Sequence, residues 1–92
     1  MAAQISRTSN SLTTTWTLVS SNVVSVNLCN QGPDSVYFAL LAVGATAPTV
    51  AADRTGVIAV DEIQPITNGS NLAIYARAAS GTATLMVEKY GD

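Results

Sequence analysis

The chain has 92 residues, enough for one domain; 48% are hydrophobic and 11% charged, against roughly 25% charged in typical soluble domains. A net charge of -2, with four scattered cations at Arg7, Arg54, Arg77 and Lys89, excludes the basic stripe needed to grip nucleic acid or an anionic membrane. The absence of histidine removes the commonest general base and metal ligand, and the lone Cys29 permits no intrachain disulfide.

Residues 1–11 are polar and rich in Ser, Thr and Asn, and are expected to form an arm that is flexible or ordered only by a partner. Residues 12–92 are expected to form a single domain. Nothing in the first residues resembles a secretory signal, and no apolar run approaches membrane-spanning length, so synthesis without export is expected.

From Leu12 the pattern tightens. Leu12, Thr14, Trp16 and Leu18 alternate with Thr13, Thr15, Thr17 and Val19, and consecutive threonines favour extended backbone, which predicts a strand over 12–19. A turn at 20–22 precedes a second alternation, in which Val24, Val26 and Leu28 share one face and Cys29 sits on the other as a small, partly buried residue. Gly32-Pro33 marks a loop. The nearly continuous apolar run 36–43 predicts a strand shielded on both faces, with a helix as the alternative.

Residues 44–56 form the longest irregular stretch, with room for a short edge strand around Thr49-Val50 and with the pair Asp53-Arg54. Strand character resumes over 57–63. Pro65 cannot donate to a ladder, so the segment after Ile63 should be an edge, bulge or turn, with Ile66 still reaching the core. Asn68-Gly69 reads as a tight turn; Asn68-Gly69-Ser70 also fits a glycosylation pattern, but without export a turn is the better reading. The segment 72–90 then reads as a hairpin about Ser80-Gly81, with Leu72, Ile74, Ala76 and Ala78 facing the core and Tyr75 and Arg77 facing away. The whole pattern predicts an all-β fold, a small antiparallel β-sandwich of six to seven strands with Greek-key or jelly-roll connections.

No residue set forms a catalytic site, and no cofactor or metal site is expected. Asp61 and Glu62 are adjacent, so on a strand they point to opposite faces. An ion or cleft gathering Asp53, Asp61 and Glu62 would be the requirement for an enzyme, and no calcium-loop spacing supports it. Serines have no histidine to activate them, and Lys89 is the only lysine.

Trp16, Tyr37, Tyr75 and Arg77 are the candidate interface residues. Tyr37 and Tyr75 lie opposite the core-facing positions, and interface centres favour aromatics while excluding most charges. Arg77 shares the Tyr75 face and could pair with Glu88 across the hairpin. Exposed together, the aromatics could instead form a sugar-binding platform.

The segments 24–30 (VSVNLCN), 36–43 (VYFALLAV), 63–72 (IQPITNGSNL) and 74–80 (IYARAAS), followed by a terminal strand, resemble small β-sandwich accessory proteins of tailed-bacteriophage virions. The resemblance spans about 24–90 and implies structural roles for Asn30, Pro65, Gly69, Ala76 and Ala78. It implies a non-enzymatic virion protein made in the host cytoplasm, a capsid decoration or cement protein. Such a protein would act as a homo-oligomer, a trimer, against the major capsid protein or other virion proteins. The alternative is a carbohydrate- or receptor-binding module of a tail tip or fibre; no receptor-binding extension is recognisable, which weighs against an adhesin.

Overall fold

The computed structural model describes residues 5–21, 25–67 and 71–90. These form eight strands: β1 (Ile5–Leu12), β2 (Thr17–Ser21), β3 (Ser25–Pro33), β4 (Val36–Ala42), β5 (Gly56–Ile58), β6 (Ile63–Thr67), β7 (Leu72–Ala78) and β8 (Ala83–Tyr90). Among the described residues a single 3-10 turn occurs, at Ala51–Asp53. Every strand pairing is antiparallel, in two four-stranded sheets ordered β1-β8-β3-β6 and β2-β7-β4-β5.

The pairings are nested. β4 pairs with β5, β3 with β6, β2 with β7 and β1 with β8, each strand meeting its mirror partner about the loop at 43–55. Successive pairs alternate between the two sheets. The chain is therefore one long hairpin rolled around a shared core, a jelly-roll β-sandwich.

Between the sheets lies an aliphatic core. Leu28, Leu85 and Val36 are fully buried, and Leu12, Val26, Ile58, Ile74 and Val87 nearly so. Burying side chains of this size contributes about 1.5–3 kcal/mol each. Alternation places these residues inward, as in β8, where Ala83, Leu85 and Val87 are buried and Thr84, Met86 and Glu88 are less so. Phe38 packs against the backbone of the neighbouring edge strand β5, since a β-carbon on Gly56 would stand 2.8 Å from its ring.

Several expectations are corrected by this topology. There are eight strands rather than six or seven. Residues 5–11, expected as an arm, form with Leu12 an edge strand paired along its whole length with β8. The strand expected over 12–19 breaks at 13–16, where the chain passes between sheets. The threonines read as strand formers bond locally instead: Thr15 N–H donates to Thr13 Oγ1, and Thr17 Oγ1 donates to the Thr15 carbonyl. Such side-chain bonds compete with ladder pairing. A register shift between Leu18 and Ser20 then turns Val19 into the core and leaves Leu18 51% exposed.

The expected strand over 57–63 divides at the turn 59–62 into β5 and β6, which lie in different sheets. No strand forms at Thr49-Val50; the 3-10 turn follows there, with the Asp53 carboxylate accepting from the Thr49 and Val50 N–H groups. The helix alternative for 36–43 is excluded by β4. β7 and β8 do not pair as a hairpin: Gly81, at φ 61, carries the chain from one sheet to the other. Pro65 lies in β6, an edge strand, as its missing donor requires. The Asn68-Gly69 turn, the residue Val24 and the first four residues lie outside the described residues.

Asn30 locks one end of the sandwich. Its side chain is wholly buried, donating to the carbonyls of Asp34 and Ile58 (2.9 Å each) and accepting from Gly32 N–H (2.8 Å). Its backbone N–H donates to the Glu62 carbonyl at 3.0 Å, and its carbonyl accepts from Asp61 N–H at 2.8 Å. A buried amide so satisfied holds the β3 bend and the 59–62 turn against each other.

Candidate functional site

The two outer faces of the sandwich differ in chemistry. On the first sheet, Arg7 of β1 stands opposite Glu88 of β8 and forms an ion pair with it. Tyr90 Oη donates to the same carboxylate at 2.9 Å, and Asn27 Nδ2 donates to Tyr90 Oη at 3.4 Å. These bonds hold the Glu88 carboxyl below the usual carboxylate range, with the Arg7 hydrogen bond the largest cause, and raise the Arg7 guanidinium. On this face the Arg7 and Glu88 charges neutralise each other.

The second sheet's outer face carries aromatics and unneutralised cations. Register sets Tyr37 of β4 directly opposite Arg77 of β7, so both project outward together. The Arg77 guanidinium carbon lies 5.6 Å from the centroid of the Tyr37 ring and 6.0 Å from that of Trp16. Arg54, from the loop after the 3-10 turn, lies 4.7 Å from the Tyr37 centroid. The four side chains thus form a ladder, Arg54–Tyr37–Arg77–Trp16.

Loop 43–55 is tied down to make it. Trp16 Nε1 donates to the Val50 carbonyl at 3.0 Å, Thr55 N–H donates to the Phe38 carbonyl at 2.7 Å, and Leu40 N–H donates to Thr55 Oγ1 at 3.0 Å. Beside Leu41 the same loop leaves an open cleft of about 410 Å³ lined by 46–49 and Asp53. Ala39, outward by its register with Tyr75, is nonetheless fully buried, so this face is partly covered, as the unbroken apolar run of β4 requires.

Three of the four expected interface residues, Trp16, Tyr37 and Arg77, are brought together. Tyr75 shares their face one row along, opposite Ala39 and Leu18, outside the ladder. Arg77 does not pair with Glu88: their strands lie in different sheets, and Glu88 is taken by Arg7. Arg54 was not among the expected residues. Its signal was the pair Asp53-Arg54 in the long loop, but no local periodicity links that loop to Tyr37.

Electrostatically, the ladder places two of the chain's four cations on one patch. Arg54 donates to the Ala51 carbonyl and Arg77 to the carbonyls of Ala78 and Ala79. Neither meets a carboxylate among the described residues. A guanidinium stacked on a ring keeps its in-plane donors, which suit a carboxylate or another planar anion. The Tyr37 ring already packs against two guanidiniums, which disfavours stacking a sugar on it. Among the described residues no group of three or more Cys, Asp or Glu could hold a metal ion. Cys29 is free and partly buried.

The fold and this face define a small jelly-roll sandwich with an arginine–aromatic surface. No family model, curated protein or solved structure matches the chain.

Proposed function

We propose that the chain is a non-enzymatic virion structural protein, a capsid decoration or cement protein that stabilises the shell through protein–protein contacts. The observation that carries this reading is the exposure of large aliphatic side chains along the edge made by β5, β6 and the turn between them. Val57 on β5, Val60 in the following turn and Ile63 at the start of β6 are 49%, 41% and 62% exposed. Exposed apolar patches of this kind mark surfaces that other protein covers. The jelly roll is a recurrent capsid architecture, which agrees with the reading without carrying it, because a fold hosts many functions. Low overall charge and the resemblance to phage accessory proteins point the same way.

In this reading the protein works as a small ring, a trimer, seated on the major capsid protein. Co-sedimentation tests it. Purified protein added to shells that lack it is expected to pellet at a saturable, fixed stoichiometry and to raise the temperature at which the shells rupture. Protein that stays in the supernatant with shells and with tails overturns the reading.

A further inference from the structure

We infer that the arginine–aromatic face binds a second copy of this chain, at the acidic corner formed by Asp61 and Glu62. The inference rests on the self-assembling role proposed above and names the two surfaces that meet.

The two patches are complementary in charge and alike in surroundings. Arg54 and Arg77 stand on the rings of Tyr37, whose register partner Val57 is 49% exposed, and Trp16, whose bonding partner Val50 is 54% exposed. Asp61 and Glu62 lie between exposed Val60 and Ile63. Apposing them covers aliphatic surface while pairing guanidinium with carboxylate, the usual composition of a specific interface.

The guanidiniums and the backbone of the acidic turn are held in place before association, which lowers the conformational entropy lost on binding. The guanidiniums are held against aromatic rings and backbone carbonyls. The acidic corner is mounted on buried Asn30, through Asp61 N–H at 2.8 Å and the Glu62 carbonyl at 3.0 Å. Asp61 is held at φ 67, a conformation that Asp tolerates better than most residues. Its carboxylate accepts no hydrogen bond among the described residues, whereas Glu62 Oε1 accepts one from Ala59 N–H at 3.2 Å. Two different patches that meet once in each pair of copies make a head-to-tail contact, which closes as a ring.

Light scattering on the full chain tests this, with charge reversal. The wild type is expected to run as a closed oligomer that loosens as salt rises towards about 1 M. Arg54→Glu and Glu62→Lys are each expected to weaken assembly about tenfold or more, and the two changes in one chain to restore it. Glu62→Gln, which keeps an acceptor for Ala59 N–H, separates loss of charge from loss of the turn. A wild type that stays monomeric overturns the inference. So does an oligomer indifferent to both reversals, or a double variant that folds, by its melting curve, without regaining assembly. Shell co-sedimentation in parallel separates the two ideas. A monomer that binds shells defeats the ring and leaves the cement role; a ring that binds neither shells nor tails does the reverse.

Discussion

Asn30, on a strand of one sheet, donates a 2.9 Å hydrogen bond to the carbonyl of Ile58, on the edge strand of the other. The bond fastens the two layers at the end where the 59–62 turn crosses between them. Asn30→Ala leaves the Ile58 and Asp34 carbonyls and Gly32 N–H without their side-chain partner in a buried place. A loss of about 3 kcal/mol is expected, read as a lower urea midpoint at unchanged slope. Asn30→Asp keeps the acceptor and loses both donors, so it should not rescue.

Gly81 makes the crossover from β7 to β8 possible. Its φ is 61, and a β-carbon there would lie 2.6 Å from Asp34 Oδ2, the atom that accepts Thr82 N–H at 3.2 Å. Gly81→Ala is expected to cost about 1–3 kcal/mol through the backbone and the clash together. Asp34→Ala forfeits the Thr82 N–H bond and relieves the clash, but not the backbone strain at residue 81. Thermal unfolding of both single variants and the double variant should therefore be non-additive, and strictly additive losses would place Asp34 elsewhere.

The Arg7–Glu88 pair fastens edge strand β1 to β8, and it predicts an acid limb in stability. Folding holds the Glu88 carboxyl below its ordinary value, chiefly through the Arg7 hydrogen bond and then through Tyr90. The unfolded chain therefore takes up the proton first as pH falls. The pair's contribution is complete above the ordinary carboxylate range and disappears as pH drops through the lowered value. Melting temperature against pH should show this slope, and Glu88→Gln should flatten it. Since Arg7 is exposed and Glu88 is partly so, the slope should be small and should shrink with added salt.

Trp16 is the only tryptophan, and its indole N–H holds loop 43–55 by the Val50 carbonyl. Trp16→Phe keeps a ring for Arg77 and removes that bond. Global stability should fall by about 1 kcal/mol. Amide exchange should quicken at Asp53 and Arg54, whose N–H groups close the 3-10 turn on Val50 and Ala51, before it quickens in β7 or β8. Equal protection of the turn in both proteins would mean that the loop is held by Thr55 instead.

Much of this architecture was legible in the chain because side-chain alternation is local. Leu85 and Val87 against Met86 and Glu88, or Ala76 and Ala78 against Tyr75 and Arg77, declare an inner and an outer face without reference to any partner strand. The edge position of Pro65 follows from its missing N–H, and the outward setting of Tyr37 from its place between Val36 and Phe38. The break at 13–16 was hidden, because the same threonines that favour extended backbone also bond to their own neighbours.

Composition and period-two patterning by themselves determined that this is an all-strand sandwich and which face of most strands is covered. Only the tertiary structure decided which strands are neighbours, because pairing joins residues as far apart as Arg7 and Glu88, and a glycine turn looks the same whether it closes a hairpin or crosses between layers. The ladder at Tyr37 belongs to that second kind of knowledge. Its members come from a bend, two strands and a loop, and only the rolled-up chain sets them side by side.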